Sequence, residues 1–382
     1  MSFTPEHTLF RDNVRAFVER EIAPHINTWD EAQTFPRELY TRAAQLGLLG
    51  LGYPEAYGGT PCDGWFKLIA TEEIARAGSG GLMASLFSHN IGLPPIIAHG
   101  SDELKQRVVP DVLAGKKIAA LAITEPSGGS DVARLACKAR REPGPAGDQW
   151  VIDGEKTFIT SGMRADWFTL AVRTGSGGAG GISLIAVPGD TPGLQRTQLS
   201  KMGWWCSDTA HLRFDSCRVP AANLIGAENA GFRAIMENFN GERLLMSAGA
   251  CCFAQVCFDE ALAWARARQT FGTALVEHQV MRHKLMDMRM RIASTRAWLH
   301  ALVERQERGD TGAEWVAELC LLKNHATQTM QWCADAAVQT LGGMGFMRGL
   351  KSERIYREVK VMMIGGGAEE IMKELAARQL GV

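Results

Sequence analysis

Between about residues 117 and 226 the sequence changes from helical to strand-like patterning, and it then changes back. Short β-rich runs separated by Gly, Asp and Pro make up this block: KIAALAIT, WVIDGEKTFIT, WFTLAVRT, GISLIAVP and TAHLRFDSCRVP. These runs are too short and too closely spaced for strand–helix–strand units, which need a crossover of a dozen or more residues. The block therefore predicts a compact antiparallel sheet domain, with the Gly-rich GSGGAGG as an exposed hairpin loop.

Helical patterns flank this block on both sides. FRDNVRAFVEREIAPH has apolar residues at helical spacing until a proline ends the pattern, and three long helical stretches follow residue 227. Their length and apolar content are typical of a four-helix bundle that also forms subunit contacts. We predict an α+β multidomain chain with an all-α domain over 1–118, an antiparallel β domain over 119–226 and a four-helix bundle over 227–382.

Charge and composition exclude several classes of protein. The 382 residues include 41 basic and 42 acidic side chains, a net charge of −1, without a dense basic run, so a nucleic-acid partner is not expected. Nine scattered cysteines and nine histidines form no spacing typical of a metal site, so no metal is assigned and the cysteines are predicted to be reduced core residues. No secretory signal and no apolar run of membrane-spanning length is evident, which favours a soluble cytoplasmic protein.

The segment ALAITEPSGGSDVA, residues 120–133, could by itself be an ordinary loop. It resembles, however, the first signature of the acyl-CoA dehydrogenase family, and KMGWWCSDTAHLRFDSCRVP, QTLGGMGF and IGGGAEEIMKELAARQLGV resemble later segments of that family in the same order. The resemblance extends over essentially the whole chain. It implies the acyl-CoA dehydrogenase fold, with FAD at the seam between the sheet and the helical bundle and part of each site donated by a neighbouring subunit.

The resemblance also implies which residues contact FAD. Thr124 would bond to the isoalloxazine, Phe158 stands where many members have a Trp over the flavin, and Arg268, a fixed fork of donors, suits the pyrophosphate. The glycines of QTLGG would let the backbone approach the adenine end. The full implied set is Leu121, Ile123, Thr124, Gly129, Ser130, Phe158, Ile159, Thr160, Arg268, Thr270, Phe271, Leu275, His278, Gln279, Gln339, Leu341, Gly342, Gly343, Ala368 and Glu370.

The catalytic base is expected in an unusual place. Most family members carry it as the Glu of an I-Y-E-G-T pattern in the C-terminal loop, but here that position is Gly366, and Glu369 and Glu370 lie past the turn. A minority, including long-chain and isovaleryl-CoA dehydrogenases, carry it in an E-R-L motif on a helix, which NFNGERLL matches at Glu242. The alternative for Glu242 is an acid favoured by the dipole of a helix N-terminus.

Gly366 keeps a backbone N–H that would polarise the thioester carbonyl, so we expect Glu242 and Gly366 to be the catalytic pair. Ser130, Asn240, Arg243 and Gly365 are the expected substrate contacts, with Arg243 anchoring substrate or fixing the loop. Glycines stand in this loop at positions where Tyr and Glu are common in the family, and they leave free volume beside the β-carbon of the substrate. The hypothesis that follows is tolerance of long, branched or bulky acyl chains.

The predicted activity is removal of an α-proton by Glu242 with transfer of the β-hydride to flavin N5. The predicted partners are an acyl-CoA substrate, an electron-transfer flavoprotein and further copies of the chain in a homotetramer. Two alternatives share the fold, an acyl-CoA oxidase and a dehydrogenase of carrier-bound acyl groups. A flavoprotein adapted to nucleic-acid or regulatory binding is disfavoured by the near-neutral charge.

Overall fold

The computed structural model describes residues 3–145 and 147–382. The first part is helical, with a π-helical turn at Val18–Ile22 and 3₁₀ turns at Leu48–Gly50 and Glu55–Tyr57. Its helices are α1 (Pro5–Phe17), α2 (Ile26–Ala32), α3 (Glu38–Gln45), α4 (Gly64–Ala75), α5 (Gly80–Leu86), α6 (His89–Gly92), α7 (Pro94–His99) and α8 (Asp102–Leu113).

Local sequence explains where several of these helices begin. Thr4 accepts a hydrogen bond from the His7 N–H and precedes a proline at the first turn of α1, while Asp63 caps α4 by accepting from two backbone N–H groups. Ser101 caps α8 by accepting from the Leu104 N–H. Each cap satisfies backbone donors that a helix start otherwise leaves without partners.

An eight-stranded sheet follows, in the order β6-β7-β3-β2-β4-β5-β8, with β1 on β4. Most pairs are antiparallel as predicted, but β4 pairs in parallel with β1 and with the end of β2, so the antiparallel prediction was wrong for these two contacts. GSGGAGG connects the antiparallel strands β4 and β5. The strands are β1 (Ala119–Ala122), β2 (Lys138–Glu142), β3 (Gln149–Thr160), β4 (Trp167–Arg173), β5 (Ile182–Pro188), β6 (Leu194–Gln198), β7 (Thr209–Pro220) and β8 (Leu224–Ile225).

The last part is a bundle in which α11 packs against α9, α10, α13 and α14, and also against the one-turn helix α12. The predicted four-helix bundle therefore contains a fifth helix, α14, at the C-terminal end of the chain. The elements are α9 (Gly231–Ala267), the hairpin β9 (Gln269–Thr270) and β10 (Thr273–Ala274), α10 (Gln279–Glu307), α11 (Ala313–Leu341), α12 (Gly343–Phe346), α13 (Lys351–Ile364) and α14 (Glu369–Leu380).

Helix α9 is long and apolar enough, by length and composition, to cross a membrane, so the expectation that no run reaches that length was wrong. In its most apolar window 72% is buried inside the protein, and its apolar residues belong to the core between α10, α11 and α13. The apolar surface of α9 is thus covered by protein, as in the central helix of a bundle.

Helix α6 connects the sheet to the bundle. The Ser88 hydroxyl donates to the Ala119 carbonyl at 2.9 Å, and a Cβ on Gly92 would meet the same stretch of β1 at 3.2 Å. On the other side, the Asn238 amide of α9 donates to the Ile91 carbonyl at 2.8 Å. The start of β1 and the second turn of α9 are therefore both fixed to one short helix.

Candidate active site

Glu242 lies in the interior of α9. The helix begins at Gly231, so Glu242 is about three turns from its start and outside the turn where the helix dipole favours an acid. The helix-start alternative for this glutamate was therefore wrong. Its position on a long, packed helix holds the carboxylate on a rigid element.

The surroundings of Glu242 favour the protonated form. Burial raises the pKa of its carboxyl from 4.5 to about 7, and the nearby cations Arg243 and Lys323 offset this only in part. The side chain as a whole keeps some solvent access. Within the described residues no donor hydrogen-bonds to the carboxylate, so its lone pairs are free to take a proton. A carboxyl with a pKa near neutrality and free lone pairs has the properties of a general base.

Gly366 faces the same point from the C-terminal loop between α13 and α14. A Cβ built on Gly366 would lie 4.0 Å from Glu242 Oε1 and 2.9 Å from the sulfur of Met246. The backbone has φ of +65°, which favours glycine. Positions 242 and 366, at which different family members are expected to carry the catalytic glutamate, therefore lie close together. Met246 occupies the volume that a side chain at 366 would need.

Arg243 fixes the loop. Its Nε donates to the Gly366 carbonyl at 3.0 Å and its Nη1 to the Asn240 side-chain oxygen at 3.1 Å, while the guanidinium lies over the Phe239 ring. Arg243 is buried, and burial lowers its pKa. Of the two roles expected for Arg243, the structure shows the loop contact, and Asn240 orients this arginine.

Lys323 was missed by the sequence reasoning. It lies on α11, is fully buried, and donates to the carbonyls of Met363 at 2.9 Å and Gly367 at 2.7 Å. The only signal for it was one lysine inside the apolar stretch ELCLLKNHA. Glu369, by contrast, pairs with Lys373 at 2.7 Å, and this hydrogen bond lowers its pKa, which makes it a poor base.

A second group of predicted residues forms a wall at the end of β1 and β3. The Thr157 N–H donates to the Thr124 carbonyl at 2.8 Å, which places the turn after β1 beside Phe158. The pairing of β3 with β7 shifts register between Lys156 and Ile159, and this irregularity leaves Phe158 69% exposed with φ of +58°. Bulges of this kind redirect a side chain beside functional sites.

This wall fits the isoalloxazine of FAD. The exposed ring of Phe158 belongs to the same wall as the partly exposed Thr124 and Thr160, whose hydroxyls have no hydrogen-bond partner among the described residues. Gly129 and Ser130 are exposed on the adjoining turn. The side chains of Ile123 and Ile159 are buried in the core, so only their backbone can face a cofactor, and Leu121 packs partly against the same core.

A buried ion pair, also missed from the sequence, joins the two segments of this wall. The Lys156 ammonium donates to the Ile123 carbonyl at 2.9 Å and to Glu125 at 2.8 Å. Glu125 in turn accepts from the backbone N–H groups of Ala136 and Cys137. Because every partner is hydrogen-bonded, the pair holds the turn after β1 in a fixed position relative to β3.

The remaining predicted cofactor residues lie at three further places. Around β9 and β10, Phe271 is fully exposed, the Thr270 hydroxyl contacts His278 at 3.0 Å, and Arg268 has no ion-pair partner within 3–145 and 147–382. This cluster also contains Leu275 and Gln279. At the end of α11, Gln339, Gly342 and Gly343 are exposed and Leu341 is buried. Ala368 and Glu370 lie at the start of α14.

The first of these clusters is far from the base. Arg268 follows Glu242 by 26 residues on α9, about 39 Å along the helix. The structure thus brings together Glu242, Gly366, Arg243 and Asn240, and it separates them from the Arg268 cluster of the same chain. Within the described part of the chain, no three His, Cys, Asp or Glu side chains are grouped so that they could hold a metal ion.

A helical–sheet–helical chain with an aromatic, hydroxyl-lined wall and a desolvated carboxylate defines a flavin-dependent oxidoreductase. Three family models match in the same order: the acyl-CoA dehydrogenase N-terminal domain over 4–116, middle domain over 120–217 and C-terminal domain over 229–381. The chain belongs to the acyl-CoA dehydrogenase family, and its cofactor is FAD.

Individual relatives agree with this assignment. The mouse mitochondrial long-chain specific acyl-CoA dehydrogenase is 35% identical over 99% of this chain and 87% of its own length. A mitochondrial isovaleryl-CoA dehydrogenase from rice is 33% identical over 97% of this chain and 90% of its own length. A crystal structure from Mycobacterium smegmatis, described as an acyl-CoA dehydrogenase, has a TM-score of 0.96 and 46% identity over 99% of this chain and 98% of the other.

Proposed function

We propose that this protein oxidises the Cα–Cβ bond of an acyl-CoA thioester to the trans-2-enoyl thioester, with Glu242 removing the α-proton. The observation that supports this most directly is the 4.0 Å between Glu242 Oε1 and the position that a side chain on Gly366 would take. FAD, when bound, supplies the acceptor for the β-hydride. Thr124, Phe158, Thr160 and the turn at Gly129 and Ser130 would hold its ring system.

Proton removal needs help from the protein, because a thioester α-proton is a much weaker acid than a carboxylic acid. The Gly366 N–H donates to no acceptor among the described residues, so it is available to the substrate carbonyl. A donor aimed at the oxygen that becomes negative stabilises the enolate-like transition state. Gly366 would therefore act through its backbone while Glu242 takes the proton.

Arg243 and Asn240 support this arrangement from α9. By holding the Gly366 carbonyl, Arg243 fixes the peptide plane on that side of the loop. Gly365 precedes it at the end of α13, and its own N–H is bonded to the Val361 carbonyl at 2.7 Å. The Gly366 N–H, which is next along the chain, thus remains free beside the base and can face the carbonyl oxygen of the substrate.

The acyl-chain hypothesis needs one change. The volume left by Gly366 is filled in part by Met246, and a Cβ on Gly367 would meet Met372 at 2.3 Å. Methionine is unbranched and adaptable, so these side chains can move for a branched or long chain. We propose such substrates. Equal rates confined to short straight chains in an acyl-CoA panel would contradict this part.

We further propose that electrons pass to an electron-transfer flavoprotein and that the protein is a homotetramer, a dimer of dimers. Support for assembly comes from the distance of about 39 Å along α9 between Glu242 and Arg268. An FAD bound beside Glu242 would therefore be remote from Arg268 of the same chain. The exposed Arg268 and Phe271, with Gln339 and its neighbouring glycines, would instead complete the FAD site of a second subunit.

The test is anaerobic flavin reduction by an acyl-CoA panel in the FAD-loaded Glu242→Gln variant. We expect loss of reduction by at least about a hundredfold, the usual scale for a general base. Glu237→Gln is the matched control, because this exposed glutamate lies on the same helix and pairs with Arg233. Reduction of the Glu242→Gln flavin at the wild-type rate would reject the assignment of the base.

A further inference from the structure

Lys323 is a fully buried cation in the bundle, and it contacts the catalytic loop from α11, whereas Arg243 contacts the loop from α9. Its ammonium donates to Met363 and Gly367, and no carboxylate hydrogen-bonds to it among the described residues. A buried ammonium is unfavourable unless its surroundings replace the lost hydration. Here two carbonyl oxygens do so, and both belong to the segment that presents Gly366.

The loop has few other means of holding its shape. Gly366 and Gly367 have φ of +65° and +116°, and they offer no side chain that could anchor them. The Met363 carbonyl is among the last four of α13, which lack partners within the helix. By bonding to Met363 and Gly367, Lys323 ties the end of α13 to the far side of the loop. Together with Arg243, it fixes the carbonyls on both sides of the Gly366 N–H.

Lys323 is also close enough to Glu242 to act on its charge. The charged and titratable groups that face this lysine are Arg243 and Glu242 from α9, Glu369 from α14 and Cys320 from its own helix. Burial lowers the pKa of Lys323 to about 8, so the ammonium persists at neutral pH. Its charge lowers the pKa of Glu242 and opposes the effect of burial there.

We propose that Lys323 is a positioning residue for this reaction: it holds the loop so that the Gly366 N–H faces the thioester carbonyl, and its charge favours the ionised form of Glu242. The inference rests on the proposed function, in which Glu242 is the base. The two cations hold different parts of the loop: Arg243 bonds to the Gly366 carbonyl, and Lys323 bonds to the carbonyls of Met363 and Gly367. The loop then needs no acid of its own to be catalytic.

The experiment compares Lys323→Gln and Lys323→Met with wild type as FAD-loaded proteins. Gln keeps one donor without the charge, and Met removes both. The probe is the acyl-CoA that reduces the wild-type flavin fastest, used anaerobically from acid to alkaline pH. Lys360→Gln is the matched control, because this exposed lysine bonds to no carbonyl of the loop among the described residues and contacts the Met363 sulfur at 3.6 Å.

We expect both variants to retain FAD and to reduce it about tenfold more slowly or worse, the scale of losing one charge-assisted hydrogen bond. The rising limb of the pH profile should move to higher pH, since removing a cation raises the pKa of a neighbouring acid. Lys323→Arg should return the limb toward wild type.

Wild-type rates with an unshifted limb in both variants would overturn the proposal. A slower rate with an unshifted limb would also overturn it, because that result indicates a structural role alone. Glu242→Gln separates the two ideas. If that variant reduces flavin at the wild-type rate the base assignment fails, whereas inactive Glu242→Gln with unaffected Lys323 variants rejects only the role of Lys323.

Discussion

Replacing Glu242 with glutamine is expected to stabilise the folded protein at neutral and alkaline pH. The carboxylate is held where its charge is poorly solvated, and burial raises its pKa from 4.5 to about 7. A group whose ionised form is disfavoured in the folded state reduces stability wherever the unfolded chain ionises it. Glutamine has nearly the same shape without that charge.

The magnitude follows from the pKa. A rise of 7 − 4.5 = 2.5 pKa units corresponds to about 3 kcal/mol at about 1.4 kcal/mol per unit. Because the side chain keeps some solvent access, we expect the variant to gain about 1–3 kcal/mol in free energy of unfolding. The gain should be absent below pH 4.5, grow between pH 4.5 and about 7 and stay constant above that, since both states are then ionised.

The assay is equilibrium urea unfolding of wild type, Glu242→Gln and the exposed control Glu237→Gln across that pH range. All three are kept at the same saturating FAD concentration, so that cofactor binding adds the same term to each. A difference between wild type and Glu242→Gln that is independent of pH would refute the reasoning. So would a gain of the same size and pH dependence in Glu237→Gln.

Two further predictions concern the buried ion pair of the cofactor wall and the glycine of the catalytic loop. Lys156→Met leaves the buried Glu125 carboxylate without its cation; we expect a loss of about 3–5 kcal/mol in unfolding free energy and faster FAD release. The exposed Lys138→Met serves as control, and unchanged FAD retention in Lys156→Met would contradict this. Gly366→Ala meets Met246 at 2.9 Å at a positive φ, so it should slow flavin reduction and cost about 2–5 kcal/mol, from the backbone and the contact together. Gly47→Ala, with φ of +81° and no atom within 4 Å, should show only the backbone cost of about 1–2 kcal/mol. Equal stability losses would show that the contact with Met246 is relieved by movement of its side chain.

The order of the three parts could be predicted from the sequence because periodicity is a local property. Apolar spacing identified the helical ends, and the short runs between residues 117 and 226 identified the sheet. The parallel pairing of β1 and β2 with β4 could not be predicted in this way. The relative direction of two strands depends on the path of the chain that connects them, and the residues of the strands themselves do not indicate it.

The candidate base was also found from the sequence, through a glutamate at 242 and a glycine at 366. Its physical meaning depends on packing between helices. Arg243 and Gly366 are bonded although 123 positions separate them, and Lys323 reaches the same loop from a third helix. Such contacts require α9, α11 and α13 to lie side by side.

By itself, then, the sequence determined the domain order and the family, and it predicted Glu242 and Gly366 as the pair of positions for the base and its missing counterpart. Only the tertiary structure decided that Glu242 lies inside a helix, that Met246 fills the space beside Gly366, and that a buried lysine holds the loop. The physical reason is that motifs and periodic patterns depend only on residues that are close together along the chain. Desolvation, charge pairing and steric fit arise only where remote segments meet.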